Sequence, residues 1–178
     1  MIVVIDADYD ESTHRGHVAG IICETPLDDE ISGVVTAEVE DIQEYCPGQF
    51  YKRELQCVEA ILSQLDPEKV DLIIVDGYAD FGTEERSLGA HVFEEYHIPV
   101  IGIAKTHYAL CFIDNTEVLR GTSLKPLFVT CKGIDHEQAK SIVAGMAGEN
   151  RLPYLVKLAD KYARDWCVTG CVTGDGSF

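Results

Sequence analysis

Residues 70–77 read Val70-Asp71-Leu72-Ile73-Ile74-Val75-Asp76-Gly77, a mostly apolar run closed by a carboxylate and a glycine. A run of this length with a turn residue at its end predicts a strand buried on both faces. The next two segments set its direction. Ser87 to Tyr96 predicts a short helix and Pro99 to Ala104 a second buried strand. Strand, helix and strand imply a right-handed parallel crossover, which places the chain in the α/β class.

Toward the N-terminus lie three stretches rich in Val and Ile: Met1 to Ala7, Val18 to Glu24 and Ile31 to Glu40. Polar or Gly/Pro-containing segments separate them, which predicts an antiparallel meander. After a Cys46-Pro47-Gly48 turn, Leu55, Val58, Ile61, Leu62 and Leu65 recur at helical spacing until Asp66-Pro67 stops the helix. Toward the C-terminus, strands are expected at Glu117 to Arg120 and Leu127 to Cys131. Two helices come after them, one carrying Ala139, Ile142, Val143 and Met146, the other Leu155, Leu158, Tyr162 and Trp166. The order is that of a ribonuclease H-like mixed sheet, three antiparallel strands followed by parallel strands, flanked by helices. Residues 1–166 are expected to form a single domain and residues 167–178 a flexible tail.

The 178 residues are 46% hydrophobic and 25% charged, an ordinary globular composition that excludes a disordered or fibrous chain. The charge is less ordinary. Fourteen Lys and Arg stand against 31 Asp and Glu, a formal net charge of −17 that excludes a basic nucleic-acid-binding module. Seven cysteines, an odd number without a CxxC pair, predict reduced thiols. With no basic leader and no apolar run long enough to span a bilayer, a cytoplasmic protein without a membrane partner is expected.

In open α/β sheets ligands collect beyond the carboxyl ends of the strands, so charged residues that close apolar strands carry the functional signal. Asp6 follows Ile2-Val3-Val4-Ile5, Asp76 follows Leu72-Ile73-Ile74-Val75, and Lys105 follows Val100-Ile101-Gly102-Ile103-Ala104. Glu54 joins them by a different route. It precedes Val58, Ile61 and Leu65 by four, seven and eleven residues, and so shares the buried stripe of the first helix. A carboxylate on an apolar stripe must be paired or must hold a metal. Asp6, Glu54 and Asp76 together can hold a hard cation such as Mg²⁺ or Mn²⁺. Such a site hydrolyses phosphodiesters, and Lys105 beside it can hold the phosphate or the leaving oxygen.

At these residues the sequence resembles the endonuclease V family. The resemblance is carried by Ile5-Asp6, Pro47-Gly48-Gln49-Phe50-Tyr51-Lys52-Arg53-Glu54, Val75-Asp76-Gly77 and Ile101-Gly102-Ile103-Ala104-Lys105, with a closing segment at Arg151-Leu152-Pro153 and Leu158-Ala159-Asp160. It implies a ribonuclease H-like fold and Mg²⁺-dependent cleavage of nucleic acid beside deaminated purines, inosine in particular, as in DNA repair. It also implies that Asp6, Glu54 and Asp76 are the metal-binding acids and Lys105 the active-site lysine. Substrate contacts would fall at Tyr45, Pro47, Gly48 and Gly77. Tyr45-Cys46-Pro47 stands where the family has a strand-separating wedge, and Gly77 where the flipped base rests against backbone.

Several positions depart from the family pattern. Glu44 and Cys46 replace a proline and an isoleucine of the wedge, and Ala79 replaces the second glycine of the base pocket, which would narrow or close it. Gly82 stands at a family histidine, Glu84 at a family arginine, and Lys132-Gly133 near a second family histidine. His91 does match a family histidine on the following helix. Asp80 could substitute as a metal carboxylate, and His14, His17, His107 or His136 as acid or base, but no spacing selects among them. Two cysteines four apart, Cys167 and Cys171, are a weak zinc signal.

Two functions therefore compete. The first is a divergent metal-dependent nuclease acting on DNA or RNA that contains deaminated bases. The second is a catalytically impaired or repurposed relative that binds a small molecule or a protein, a reading supported by Gly82, Glu84 and the net charge. Lys52, Arg53 and Lys105 lie within the motifs, so the site is expected to be less negative than the chain, and −17 no longer excludes a nucleic-acid substrate.

Overall fold

The structure, a computed structural model, describes residues 1–42, 51–83 and 87–165. Among these residues seven strands form one sheet: β1 (Ile2–Asp10), β2 (Arg15–Cys23), β3 (Gly33–Val39), β4 (Leu72–Asp76), β5 (Val100–Ala104), β6 (Glu117–Val118) and β7 (Leu127–Lys132). Their order across the sheet is β3-β2-β1-β4-β5-β7-β6. The meander β1 to β3 is antiparallel, β4 lies parallel to β1, and β5 lies parallel to β4. Beyond them β7 runs antiparallel to β5, and β6 antiparallel to β7. Strand order in the sequence did not specify that reversal. A parallel return needs a crossover helix, and residues 105–126 supply none.

Among the described residues four α-helices cover the sheet: α1 (Tyr51–Leu62), α2 (Leu88–Tyr96), α3 (His136–Gly145) and α4 (Tyr154–Arg164). Side chains alternate along the central strands, so each strand feeds two cores. Val3, Ile5, Ile73, Val75 and Val100 pack with Val58 and Ile61 of α1 and Val92 of α2. Val4, Ile74, Ile101 and Ile103 pack on the other face with Val143 of α3 and Leu155 and Ala159 of α4. The result is a helix–sheet–helix sandwich, the expected ribonuclease H-like class.

Local chemistry sets the helix ends. Ser87 Oγ accepts from Ala90 N at the start of α2, and His97 closes it in the left-handed region at φ 59°. Asp135 caps α3 by accepting from Gln138 N at 3.0 Å. Among the described residues no helix is long and apolar enough to cross a membrane. The expected tail at 167–178, Trp166, and the wedge and turn residues Tyr45, Pro47 and Gly48 lie outside the described residues.

Candidate active site

The site opens where β1 and β4 part. Parallel pairing between them stops at Ile5 and Val75, whereas β1 runs on to Asp10 against β2. Asp6 therefore does not end its strand, as the sequence implied; it is the first residue beyond the β4 pairing, paired only with Ala19 of β2. Asp76 is the last residue of β4, and Lys105 follows the last residue of β5. Glu54 enters from α1, whose Cys57, Val58, Ile61 and Leu62 are buried beneath it. The helical stripe thus delivers Glu54 to the sheet as expected.

Asp6, Glu54 and Asp76 line one cavity of about 810 Å³. Burial pushes the Asp6 carboxyl up to about 7, the Asp76 and Asp160 carboxylates push it further in the same direction, and a hydrogen bond from Ala7 N at 2.8 Å and the charge of Lys105 oppose them. Burial likewise pushes Glu54 up to about 8; the Arg53 guanidinium opposes the rise, and Asp76 and Asp6 add to it. Asp6 and Glu54 both feel the charge of Asp76 in the cavity that all three line. Lys105 Nζ donates to Asp76 Oδ2. Arg53 is held in turn by Glu11 at 2.8 Å and lies over the Tyr9 ring, 4.0 Å from its centroid.

Gly77 and Gly102 shape the floor. Gly77 has φ +135°, and a Cβ there would stand 3.4 Å from Glu54 Oε1. The 77–79 backbone crosses directly over Gly102, where a Cβ would meet Ala79 N at 2.2 Å and Gly77 O at 2.6 Å. Ala79 itself is fully buried in the core, and its amide donates to Thr130 Oγ1 at 2.9 Å. Its methyl packs in that core, so the glycine-to-alanine departure does not close the cavity.

One wall of the cavity is aromatic. Tyr78 stacks on Phe81 with centroids 5.5 Å apart, and Tyr108 packs edge-on to Phe81 at 5.4 Å. The segment after Lys105 builds this wall, Phe112 N donating to Phe81 O at 2.8 Å. The same segment explains Gly82. A Cβ at Gly82 would lie 2.9 Å from Ile113 Cγ1 and 3.3 Å from Ile113 N, so Ile113 covers the position of the family histidine.

The substitute residues separate clearly. Asp80 accepts from Phe81 N at 2.7 Å and Gly82 N at 3.2 Å and pairs with Lys132 at 3.5 Å, so it serves the turn. Among the four candidate acid–base histidines, His107 lines the cavity, packed edge-on to Phe128. His14 is exposed at the β1–β2 turn, His17 is buried in β2, and His136 faces the Val129 carbonyl at 3.0 Å. His91 stacks on Tyr51 of the cavity wall at 4.8 Å. Glu84, Cys167 and Cys171 lie outside the described residues. Cys23, Cys57, Cys111 and Cys131 are free thiols.

Asp160 is not among the expected site residues, and the signal that could have found it is its place in the closing segment of the family resemblance. It lies on α4, against the face that Val4 lends to the second core, and its charge reaches Asp6. The donor set suits a hard divalent cation, because carboxylates that repel one another are relieved by a dication. Among the described residues, however, no three His, Cys, Asp or Glu side chains are drawn together closely enough to enclose a metal ion, and Asp76 is turned to Lys105.

A protein-family model for Endonuclease V matches residues 1–122. No curated protein matches the chain. Among solved structures, the endonuclease V of Ciona intestinalis, a variant in complex with a 23mer DNA containing an inosine, superposes with a TM-score of 0.79 at 18% identity, covering 93% of this chain and 84% of that one. The Streptomyces avermitilis endonuclease V gives 0.73 at 22%, with 93% and 80% covered. The catalytic domain of human endonuclease V gives 0.76 at 16%, with 93% and 81% covered.

Proposed function

Because the chain belongs to the Endonuclease V family, we propose that it is a divalent-metal-dependent nuclease that hydrolyses a phosphodiester near deaminated purines, inosine in particular, in DNA or RNA. The observation that carries this reading is the convergence of Asp6, Glu54 and Asp76, from β1, α1 and β4, on one cavity with Lys105 at its edge. A nucleic-acid substrate is the partner, and the free thiols accord with a reducing, cytoplasmic setting.

Asp6, Glu54 and Asp76 would hold Mg²⁺ or Mn²⁺, with Asp160 adding negative field behind Asp6. When bound, the cation supplies a water of lowered pKa and offsets charge on the phosphate oxygens. The chain's own residues do the rest. Lys105 binds a phosphate or leaving oxygen once its ammonium exchanges Asp76 for the substrate. Gly77, bare of a side chain, lets a base approach the backbone beside Glu54. The wall of Tyr78, Phe81 and Tyr108 offers ring faces to a base. In the neighbouring segment outside the described residues, Tyr45, Pro47 and Gly48 would contact the strand.

The test incubates the protein with deoxyinosine-containing DNA and inosine-containing RNA under Mg²⁺ or Mn²⁺, beside Asp76→Ala. Nicks near the inosine that the variant does not make are expected. Cleavage no greater than that of the variant, under both metals, overturns the reading. It would favour the second one, a repurposed relative binding a small planar molecule, which the apolar wall and the Ile113 cover over Gly82 support.

A further inference from the structure

Where β5 leaves the sheet, its last ladder pair is Ala104 with Phe128 of β7. Lys105, the next residue, has passed beyond that pairing. Its carbonyl oxygen is taken by Arg151, whose Nη2 donates to Lys105 O and, at 2.6 Å, to Pro126 O. Arg151 Nε donates to Pro126 O as well, at 3.2 Å. One guanidinium therefore ties the residue after β5 to the residue before β7.

Arg151 is itself fixed. The 146–151 turn that carries it is gathered by Arg120, buried at 4% exposure. Arg120 Nη1 donates to Asn150 O at 2.9 Å and Arg151 O at 3.2 Å, while Nη2 donates to the carbonyls of Met146 and Gly148. The planar fork of arginine suits this work, since several donors leave it in fixed directions. The turn then leads into α4 and Asp160.

From these contacts we infer that Arg151 is a positioning residue for Lys105: by holding the Lys105 carbonyl, it aims the Lys105 ammonium at Asp76 and at the reacting phosphate. The inference rests on the nuclease reading for its catalytic consequence, but not for its structural one. A side chain that only stabilised the fold would not couple to Lys105 in particular.

The test uses the full-length protein and reads Lys105 directly. Lysines are acylated under limiting reagent and the rate at each is mapped by mass spectrometry, with exposed Lys157 as internal reference. Wild type, Arg151→Ala, Asp76→Asn and the double variant are compared well below their melting temperatures. In Arg151→Ala the Lys105 rate is expected to rise about five-fold over Lys157, the scale of one lost ion pair, to the level of Asp76→Asn. The double variant should show no further rise. An unchanged Lys105 rate in Arg151→Ala, or an equal rise at every lysine, overturns the proposal. Should Arg151→Ala not fold, Arg151→Lys, whose single ammonium cannot hold both carbonyls, is expected to show a smaller rise specific to Lys105, and no rise overturns it.

Cleavage kinetics supply the second arm. Arg151→Ala should lower kcat about ten- to a hundred-fold with KM little changed, and should add nothing in a Lys105→Ala background. Equal losses in both backgrounds overturn the proposal. If wild-type protein does not cleave, the nuclease reading fails alone, and the labelling result still decides whether Arg151 positions Lys105.

Discussion

Lys105 Nζ donates to Asp76 Oδ2 between the carboxyl ends of two adjacent parallel strands. The lysine side chain is 45% exposed and the aspartate 15%. A pair this open to solvent contributes only about 0–1 kcal/mol to stability. Its value lies in placing an ammonium at the edge of the acid cavity.

Lys105→Met should therefore separate stability from activity. Thermal denaturation is expected to move by less than about 1 kcal/mol, because little is buried at this position. Cleavage of an inosine-containing strand is expected to fall about a hundred-fold or more, as when a group facing developing charge is removed. A matching loss of stability would place Lys105 among the structural residues instead.

The raised acids make stability depend on pH. Asp6 and Glu54, at about 7 and about 8, hold protons in the folded chain that the unfolded chain has already released. Between the ordinary carboxylate range and those values the folded state binds more protons, so stability falls as pH rises from about 4 to about 8, and is flat above. The loss for the pair is of order 2–5 kcal/mol, given about 1.4 kcal/mol for every tenfold change in proton affinity and a repulsion between the acids that a single proton relieves. Urea unfolding at pH 5 and pH 8.5 should show this drop in wild type and a smaller one in Glu54→Gln. Mg²⁺ or Mn²⁺ should restore part of the loss at pH 8.5 and nothing at pH 5, where the acids are protonated.

Gly102→Ala tests the floor of the cavity. The added methyl would meet backbone at Ala79 N and Gly77 O, at 2.2 Å and 2.6 Å, and backbone cannot step aside as a flexible side chain can. A loss of roughly 3 kcal/mol or more is expected, with cleavage falling further than stability because Gly77 and Asp76 would be displaced together. Chemical denaturation with m-values intact, beside kcat, reads both effects.

These residues were unequally legible in the sequence. Asp6, Asp76 and Lys105 each follow an apolar run, and Glu54 sits four residues before Val58, so strand ends and helical spacing singled them out, although Asp6 lies inside its strand and not at its end. Asp160 belongs to an amphipathic helix with many polar residues, and its field on Asp6 exists only after α4 packs on β1. The clamp of Arg151 on Lys105 and Pro126 carries no sequence signal at all, because its acceptors are backbone carbonyls that every residue owns. The direction of β7 was equally hidden, since it is set by the absence of a crossover helix in residues 105–126 and not by any pattern within the strand. Ala79 reads as a narrowed or closed pocket in the sequence and as a core methyl in the structure.

Gly82→His decides whether the missing family histidine is a simple vacancy that can be refilled. Two physical effects oppose the substitution. Gly82 has φ +69°, a conformation in which a side chain is strained, and its Cβ would stand 2.9 Å from Ile113 Cγ1. Gly82→His alone is thus expected to cost about 1–3 kcal/mol and to leave cleavage no faster than wild type. Ile113→Ala removes the obstructing atoms, so the double variant should recover part of that stability, a coupling visible in a double-mutant cycle by denaturation. The backbone strain would persist, and so would the close approach to Ile113 N at 3.3 Å. No recovery of stability in the double variant, or faster cleavage from Gly82→His alone, would mean that Ile113 is not what fills the histidine position, whereas full recovery would mean that the backbone strain at Gly82 costs nothing.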